Sequence, residues 1–208
     1  MNHYLNRFKQ KIKYNSIYRI ILDGLAKINI HIKPYYLVLE GLSDKPLPQF
    51  KTNFHDYNIC FLGLKDMKDI AAIPDQARSE KELIQRLNQG NKCLGVKKNN
   101  RLVAYTWCDL ENCRFKWRSF KLSSDEAYLF DAYTLIEFRG LGLAPFIRYQ
   151  LYKELLKLNR TKLYSISEYF NQQSINFKQK LNARFIDLGI HISLFNKWNF
   201  SSILKKYN

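Results

Sequence analysis

The chain has 208 residues, enough for one domain of ordinary size with an extension. A hydrophobic fraction of 46%, with 14 Tyr and 14 Phe, excludes global disorder and supplies a real core. The formal charge of +16, from 34 basic against 18 acidic residues, directs the search for partners toward anions: a nucleotide cofactor, nucleic acid, an anionic membrane or an acidic substrate.

The four cysteines, Cys60, Cys93, Cys108 and Cys113, form no CxxC pair and have no histidine pair at ligand spacing, so no metal site is expected. Cys93 and Cys108 lie in apolar runs and read as small core residues. The N-terminus lacks the uninterrupted apolar run of a secretory signal. No stretch approaches the roughly 20 apolar residues that span a bilayer. A reducing, cytoplasmic setting is the expectation.

Residues 1–26 place Leu5, Phe8, Ile12, Ile17, Ile20, Ile21 and Leu25 at helical spacing among Arg7, Lys9, Lys11, Lys13 and Arg19. A basic amphipathic helix of this kind packs on the main domain, pairs with a second copy in a homodimer, or lies on an anionic membrane. Residues 28–40 read as extended chain interrupted at Pro34. Residues 41–49 collect Gly, Ser, Asp and two prolines, a linker that divides an extension, 1–50, from a main domain, 51–208.

From there the pattern predicts a strand over 57–64 and helices over 65–73 and 79–89. The second helix opens with Ser79 and has Glu82 three residues on, the spacing of a capping box. Strands follow at 92–97 and 102–110, joined at Asn99-Asn100, residues that tolerate a hairpin's positive φ. Residues 113–122 continue the sheet or form a loop. A strand at 127–135, a long helix at 142–158, a strand at 162–167, a short helix at 172–181 and one or two strands over 185–195 complete the chain. The long helix carries Leu143, Phe146, Ile147, Leu151, Leu155 and Leu158 on one side. One strand–helix–strand crossover among hairpins implies a mixed α/β sheet, mostly antiparallel, with helices on both faces.

The segment Arg139-Gly140-Leu141-Gly142-Leu143-Ala144 follows an apolar strand and opens the long helix. Glycine permits a tight turn and close approach of a ligand to the backbone. The unpaired N–H groups and the dipole of a helix start make an anion site there. An ordinary strand-to-helix turn would look the same by glycine count alone. The spacing excludes two common phosphate loops: no Lys-Ser/Thr follows, and Pro145 stands where a dinucleotide fingerprint needs its third small residue.

Arg139-x-x-Gly142-x-Ala144 resembles the (Q/R)-x-x-G-x-(G/A) loop of the GNAT superfamily of acyltransferases. Asn171, Ser174, Phe177, Lys178 and Lys180 are similar to that family's second motif. The resemblance covers 128–185 and, in element order, extends back to 57. It implies a GNAT-like central sheet of about six to seven strands with an N-terminal helix–strand extension. It also implies acetyl-CoA or another acyl-CoA as co-substrate, and an amine acceptor, small molecule or peptide. Backbone at 139–144 would then hold the diphosphate, Asn171 the pantetheine arm, and the N–H groups of Thr134 and Leu135 the thioester carbonyl. The family's thiolate-protonating tyrosine is replaced by Lys178, a candidate catalytic residue whose ammonium can donate a proton or stabilise a thiolate, although a long side chain on a short helix usually points to solvent. Variable loops, here 65–90 and 110–126, would build the acceptor pocket.

An amine with a pKa of about 10 is mostly protonated at neutral pH, so a base assists. Asp131 and Glu168 are the candidates, with Glu137 behind them. Asp131 sits in an apolar strand, where a buried carboxylate needs either a catalytic or a hydrogen-bonding reason. Two rival functions remain: a CoA-binding module without turnover, and a basic nucleic-acid-binding protein. The second has the charge and the aromatics but no nucleic-acid motif, which argues against it.

Overall fold

A computed structural model describes residues 17–41, 53–74 and 78–207. In chain order the elements are helix α1 (17–27), β1 (Ile30–Glu40), β2 (Tyr57–Phe61), α2 (Met67–Ala71), α3 (Glu80–Asn88), β3 (Lys92–Lys98), β4 (Arg101–Asp109), β5 (Asn112–Phe115), β6 (Arg118–Lys121), β7 (Glu126–Thr134), α4 (Leu143–Lys157), β8 (Lys162–Glu168), α5 (Gln172–Lys180), β9 (Arg184–Leu194) and β10 (Trp198–Lys206). The first part of the basic N-terminal helix and most of the 41–49 linker lie outside the described residues. The chain divides into two compact units: residues 1–37, 167–174 and 185–208, and residues 38–166 and 175–184.

The larger unit is built on the strand order β8-β7-β4-β3-β2. Every neighbouring pair is antiparallel except β7–β8, and α4 is the crossover between those two. This is the mixed, mostly antiparallel sheet expected. The turn between β3 and β4 has Asn99 and Asn100 at φ 49° and 61°, the left-handed values that asparagine tolerates. Ser79 caps α3 reciprocally: its Oγ accepts from the Glu82 N–H at 3.3 Å, and Glu82 Oε2 accepts from the Ser79 N–H at 2.7 Å. The helix expected at 65–73 is instead a 3-10 turn, Leu64–Asp66, running into a short α2. Residues 112–121 form a separate hairpin, β5–β6, rather than extending the sheet.

Helix α4 buries Leu143, Ile147, Leu151 and Leu155 at four-residue spacing, each worth about 1.5–3 kcal/mol of hydrophobic burial. Phe146 stacks on Phe54, ring centroids 4.2 Å apart. Leu158 was expected on the same stripe but is exposed, because the helix ends at Lys157. Trp107 and Tyr105 on β4 are fully buried and stack on Phe130 and Tyr133 of β7.

The smaller unit has the order β10-β9-β1. Pro34 does not interrupt β1. It removes only its own N–H, and its carbonyl still accepts from the Tyr169 N–H at 2.9 Å. Tyr36 packs against Tyr169, Phe185 and Tyr207. β10 is an addition to the expected elements. It pairs with β9 after a turn at Phe195-Asn196, φ 52° and 56°, and all nine of its residues are exposed.

Within the larger unit a group of charges is buried. Glu40 accepts from the Tyr152 hydroxyl at 2.5 Å and lies 3.5 Å from Arg148 Nε and 3.7 Å from Lys178 Nζ. Burial drives the Glu40 carboxyl up, but the Arg148 guanidinium and the Lys178 ammonium outweigh it and hold the group below the usual carboxylate range. The folded chain therefore binds fewer protons here than the unfolded chain. The stability this confers is complete above the ordinary value of 4.5 and is lost as pH falls through the lower folded value. Glu40→Gln leaves two cations buried without a carboxylate and is expected to cost about 3–5 kcal/mol in urea unfolding at neutral pH. The same variant should lose less stability than wild type on acidification. Equal stability of the two proteins at neutral pH would show that the cluster is not what holds these elements together.

Candidate functional site

β7 leads through a 3-10 turn, Ile136–Phe138, to Arg139 and the two glycines. Gly140 and Gly142 have φ of 81° and 84°, and a Cβ at either would meet nothing within 4 Å. Conformation, not crowding, demands glycine here. Gly142 caps α4 without a side-chain hydrogen bond, the first turn of α4 holds no acidic residue, and Pro145 contributes no N–H. Among the described residues nothing accepts from the N–H groups of Gly140, Gly142, Leu143 and Ala144, and Gly140 and Leu141 are exposed. The turn is thus an accessible group of donors at the positive end of a helix four turns long.

Arg139 does not extend outward from this turn. Its Nε donates to the Thr134 carbonyl at 3.1 Å, and its guanidinium lies 5.4 Å from the centre of the Tyr133 ring. It braces the turn against the end of β7.

The parallel ladder between β7 and β8 lasts four residues, from Glu126↔Lys162 to Leu129↔Ser165. Immediately past its end β7 carries one residue more than β4: Trp107 pairs with Phe130 and Tyr105 with Tyr133, and Asp131 between them has φ 48°. Leu135 cannot serve the thioester carbonyl as expected, because its N–H already donates to Val103 at 2.9 Å. By strand alternation the Thr134 N–H faces the other way, where the ladder has ended.

Asp131 Oδ2 accepts from Arg86 at 2.6 Å and lies 2.8 Å from Arg78 Nη1. The carboxylate in the apolar strand thus has the structural partners that its position required. Arg86 in turn lies 5.4 Å from the centres of both the Trp107 and Phe130 rings. Glu137 pairs with Arg101 at 2.6 Å on the surface.

Glu168, Asn171 and Ser174 belong to the smaller unit. Asn171 Oδ1 accepts from the Ser174 N–H at 3.0 Å, so this asparagine caps α5. Ser174 Oγ lies 2.9 Å from Ser167 Oγ. Glu168 is exposed and, with Asn171, Arg19 and Lys33, lines a cavity of about 310 Å³.

Lys178 contradicts its expected exposure. It is 2% exposed, donates to the Ile166 carbonyl at 3.5 Å and faces Glu40. Burial lowers its pKa to about 8, with Glu40 opposing the shift and Arg148 adding to it. Glu40, Arg148, Arg78 and Arg86 are the structural charges that pattern reading passed over. Arg148, set within the buried stripe of α4, is the one whose position in the sequence signals a buried partner.

No protein-family model matches the sequence, and no curated protein matches it. Among solved structures the chain is similar to an acetyltransferase from the GNAT family of Colwellia psychrerythraea, with TM-score 0.56 and 13% identity over 79% of this chain and 57% of that one. It is similar to a protein of the GNAT family from Novosphingobium aromaticivorans, with TM-score 0.53 and 19% identity over 78% and 64%. A functionally unknown conserved protein from Staphylococcus epidermidis gives TM-score 0.54 and 11% identity over 84% and 66%. The chain spans less than two thirds of the length of each. At such identities the likeness is one of fold, and it agrees with the parallel β7–β8 pair set beside the antiparallel pairs of β7, β4, β3 and β2: the chain has the fold of the GNAT superfamily.

Proposed function

We propose that the chain transfers an acyl group, acetyl in the simplest case, from acyl-CoA to an amine. One observation carries the reading: main-chain N–H groups of Gly140, Gly142, Leu143 and Ala144, without acceptors among the described residues, at the accessible start of α4. Donors in that arrangement suit a diphosphate, whose charge the helix dipole also favours. No lysine or metal-binding side chain is required, since main-chain amides do the binding.

The other steps follow from the same end of the sheet. In this reading the Thr134 N–H polarises a carbonyl lying where β7 and β8 part, a role supported by the end of the β7–β8 ladder at Leu129. The amine nitrogen attacks that carbonyl carbon, the C–N bond forms, the C–S bond breaks, and the sulfur leaves as thiolate while the nitrogen gives up a proton. Asp131 keeps Arg78 and Arg86 in place at this point. Binding of CoA without turnover is the second reading. Lys178 favours it, because the residue standing where the family has its acid tyrosine is buried against Glu40.

Acetyl-CoA is expected to raise the melting temperature of the purified chain by several degrees. A ligand at a hundredfold its Kd stabilises by about 2.7 kcal/mol. Gly142→Val forces a β-branched residue to φ 84° and should abolish that shift, while circular dichroism reports an intact fold. A wild-type chain indifferent to millimolar acetyl-CoA removes the proposal. Asp131→Asn is a separate test. It weakens the hold on two guanidiniums and is expected to cost about 1–3 kcal/mol in stability while leaving the CoA-induced shift in place. Loss of the shift with unchanged stability would instead put Asp131 in contact with the ligand.

A further inference from the structure

A cavity of about 350 Å³ opens in the larger unit where the β7–β8 ladder ends, and its wall includes Phe130 and Ile166, the residues next after the last paired ones. Asp109 and Asp131 are its carboxylates, with Asp109 8% exposed and the Asp131 side chain 16% exposed. Arg114 and Lys116, on the β5–β6 hairpin, are exposed, and among the described residues neither makes an ion pair. Arg78 and Arg86 complete four cations against two carboxylates, and both are engaged by Asp131. Tyr128 and Phe130, nearly parallel at 8° and 5.5 Å between centroids, add a flat apolar surface.

We infer that this cavity receives the acceptor, and that the acceptor is an amine bearing a carboxylate. The amine end enters toward the buried Asp109 and the partly buried Asp131, and the carboxylate stays at the rim with Arg114 and Lys116. Among the described residues those two cations have no competing partner, and an arginine fork matches a carboxylate. Polycationic amines are disfavoured by the same arrangement: their second and third ammonium groups meet the cationic rim, and like charges set face to face cost several-fold in affinity. The assignment of the cavity to an acceptor rests on the acyl-transfer reading; its preference for carboxylate over ammonium at the rim rests on the charges alone.

The test is isothermal titration with phenylalanine, phenylalaninamide and spermidine, each with and without saturating CoA. Phenylalaninamide keeps the ring and the amine and lacks only the carboxylate. Phenylalanine should bind about tenfold more tightly than the amide, and spermidine should bind least. The double variant R114E/K116E should erase the acid preference while keeping the thermal shift with acetyl-CoA. Tighter binding of the amide or of spermidine, no binding of phenylalanine at millimolar concentration, or an acid preference that survives the double variant overturns the inference. Exclusion of phenylalanine by CoA also overturns it, since donor and acceptor must be bound together. A chain that shows the acid preference but no response to acetyl-CoA keeps the carboxylate site and loses the acyl-transfer reading, so the two failures are distinct.

Discussion

Between Trp107 and Tyr105 on β4 lies one residue; between their partners Phe130 and Tyr133 on β7 lie two. That extra residue cannot be absorbed by a regular ladder. The backbone at Asp131 enters the left-handed region, at a cost of about 1–3 kcal/mol for a residue that is not glycine. The insertion resets the side-chain alternation of β7 beyond it, at a point where the parallel pairing with β8 has already stopped, at Leu129. A sheet held open at that point leaves main-chain donors, notably that of Thr134, facing a gap instead of a strand. The strain persists because Asp131 is held by two guanidiniums, one of them seated over Trp107 and Phe130.

The buried cluster at Glu40 solves a different problem. β1 contributes Glu40, α4 contributes Arg148 and Tyr152, and α5 contributes Lys178. One carboxylate facing two cations leaves an excess positive charge in a region of low polarity. Burial, with a smaller push from Arg148 and against the pull of Glu40, lowers the Lys178 pKa to about 8. A hydrophobic cluster of equal volume could hold the same elements as firmly. What the charges add is direction, since a carboxylate bonded to a hydroxyl and faced by two cations tolerates few registers of α4 and α5 against β1. Arg148 adds to this by resting 5.7 Å from the centre of the Phe177 ring on α5.

Features governed by local chemistry were legible in the sequence. The Ser79–Glu82 box, the Asn99-Asn100 turn and the two glycines before α4 each rest on a backbone requirement that a particular residue type meets. What escaped was set by distant partners. Lys178 looks like a solvated helix residue until Glu40, far away in the sequence, is placed beside it. β10 was invisible for the opposite reason: a strand with both faces exposed carries no inside–outside alternation, and the Asn, Ser and Lys residues in Trp198–Lys206 mask the rest. Asp131 stood between the two cases. Its cost in an apolar strand was readable, whereas the arginines that meet it, from 45 residues away in the case of Arg86, were not.

Charge is where composition and structure meet. Read as a single number, +16 says only that an anion is welcome. The ion pairs narrow that statement. Asp66 holds Lys97, Asp125 holds Lys162, Glu137 holds Arg101, Glu154 holds Lys157, and the buried Glu40 and the partly buried Asp131 each face two cations. With so many carboxylates engaged locally, the surplus cations act through their own surroundings. At physiological ionic strength charges farther apart than about 8 Å are largely screened from one another. Under the acyl-transfer proposal the net charge therefore speeds the approach of an anionic co-substrate in dilute salt but cannot choose an acceptor. In the same proposal that choice falls to cations within reach of the opening in the sheet such as Arg114 and Lys116 on the β5–β6 hairpin, which make no ion pair among the described residues.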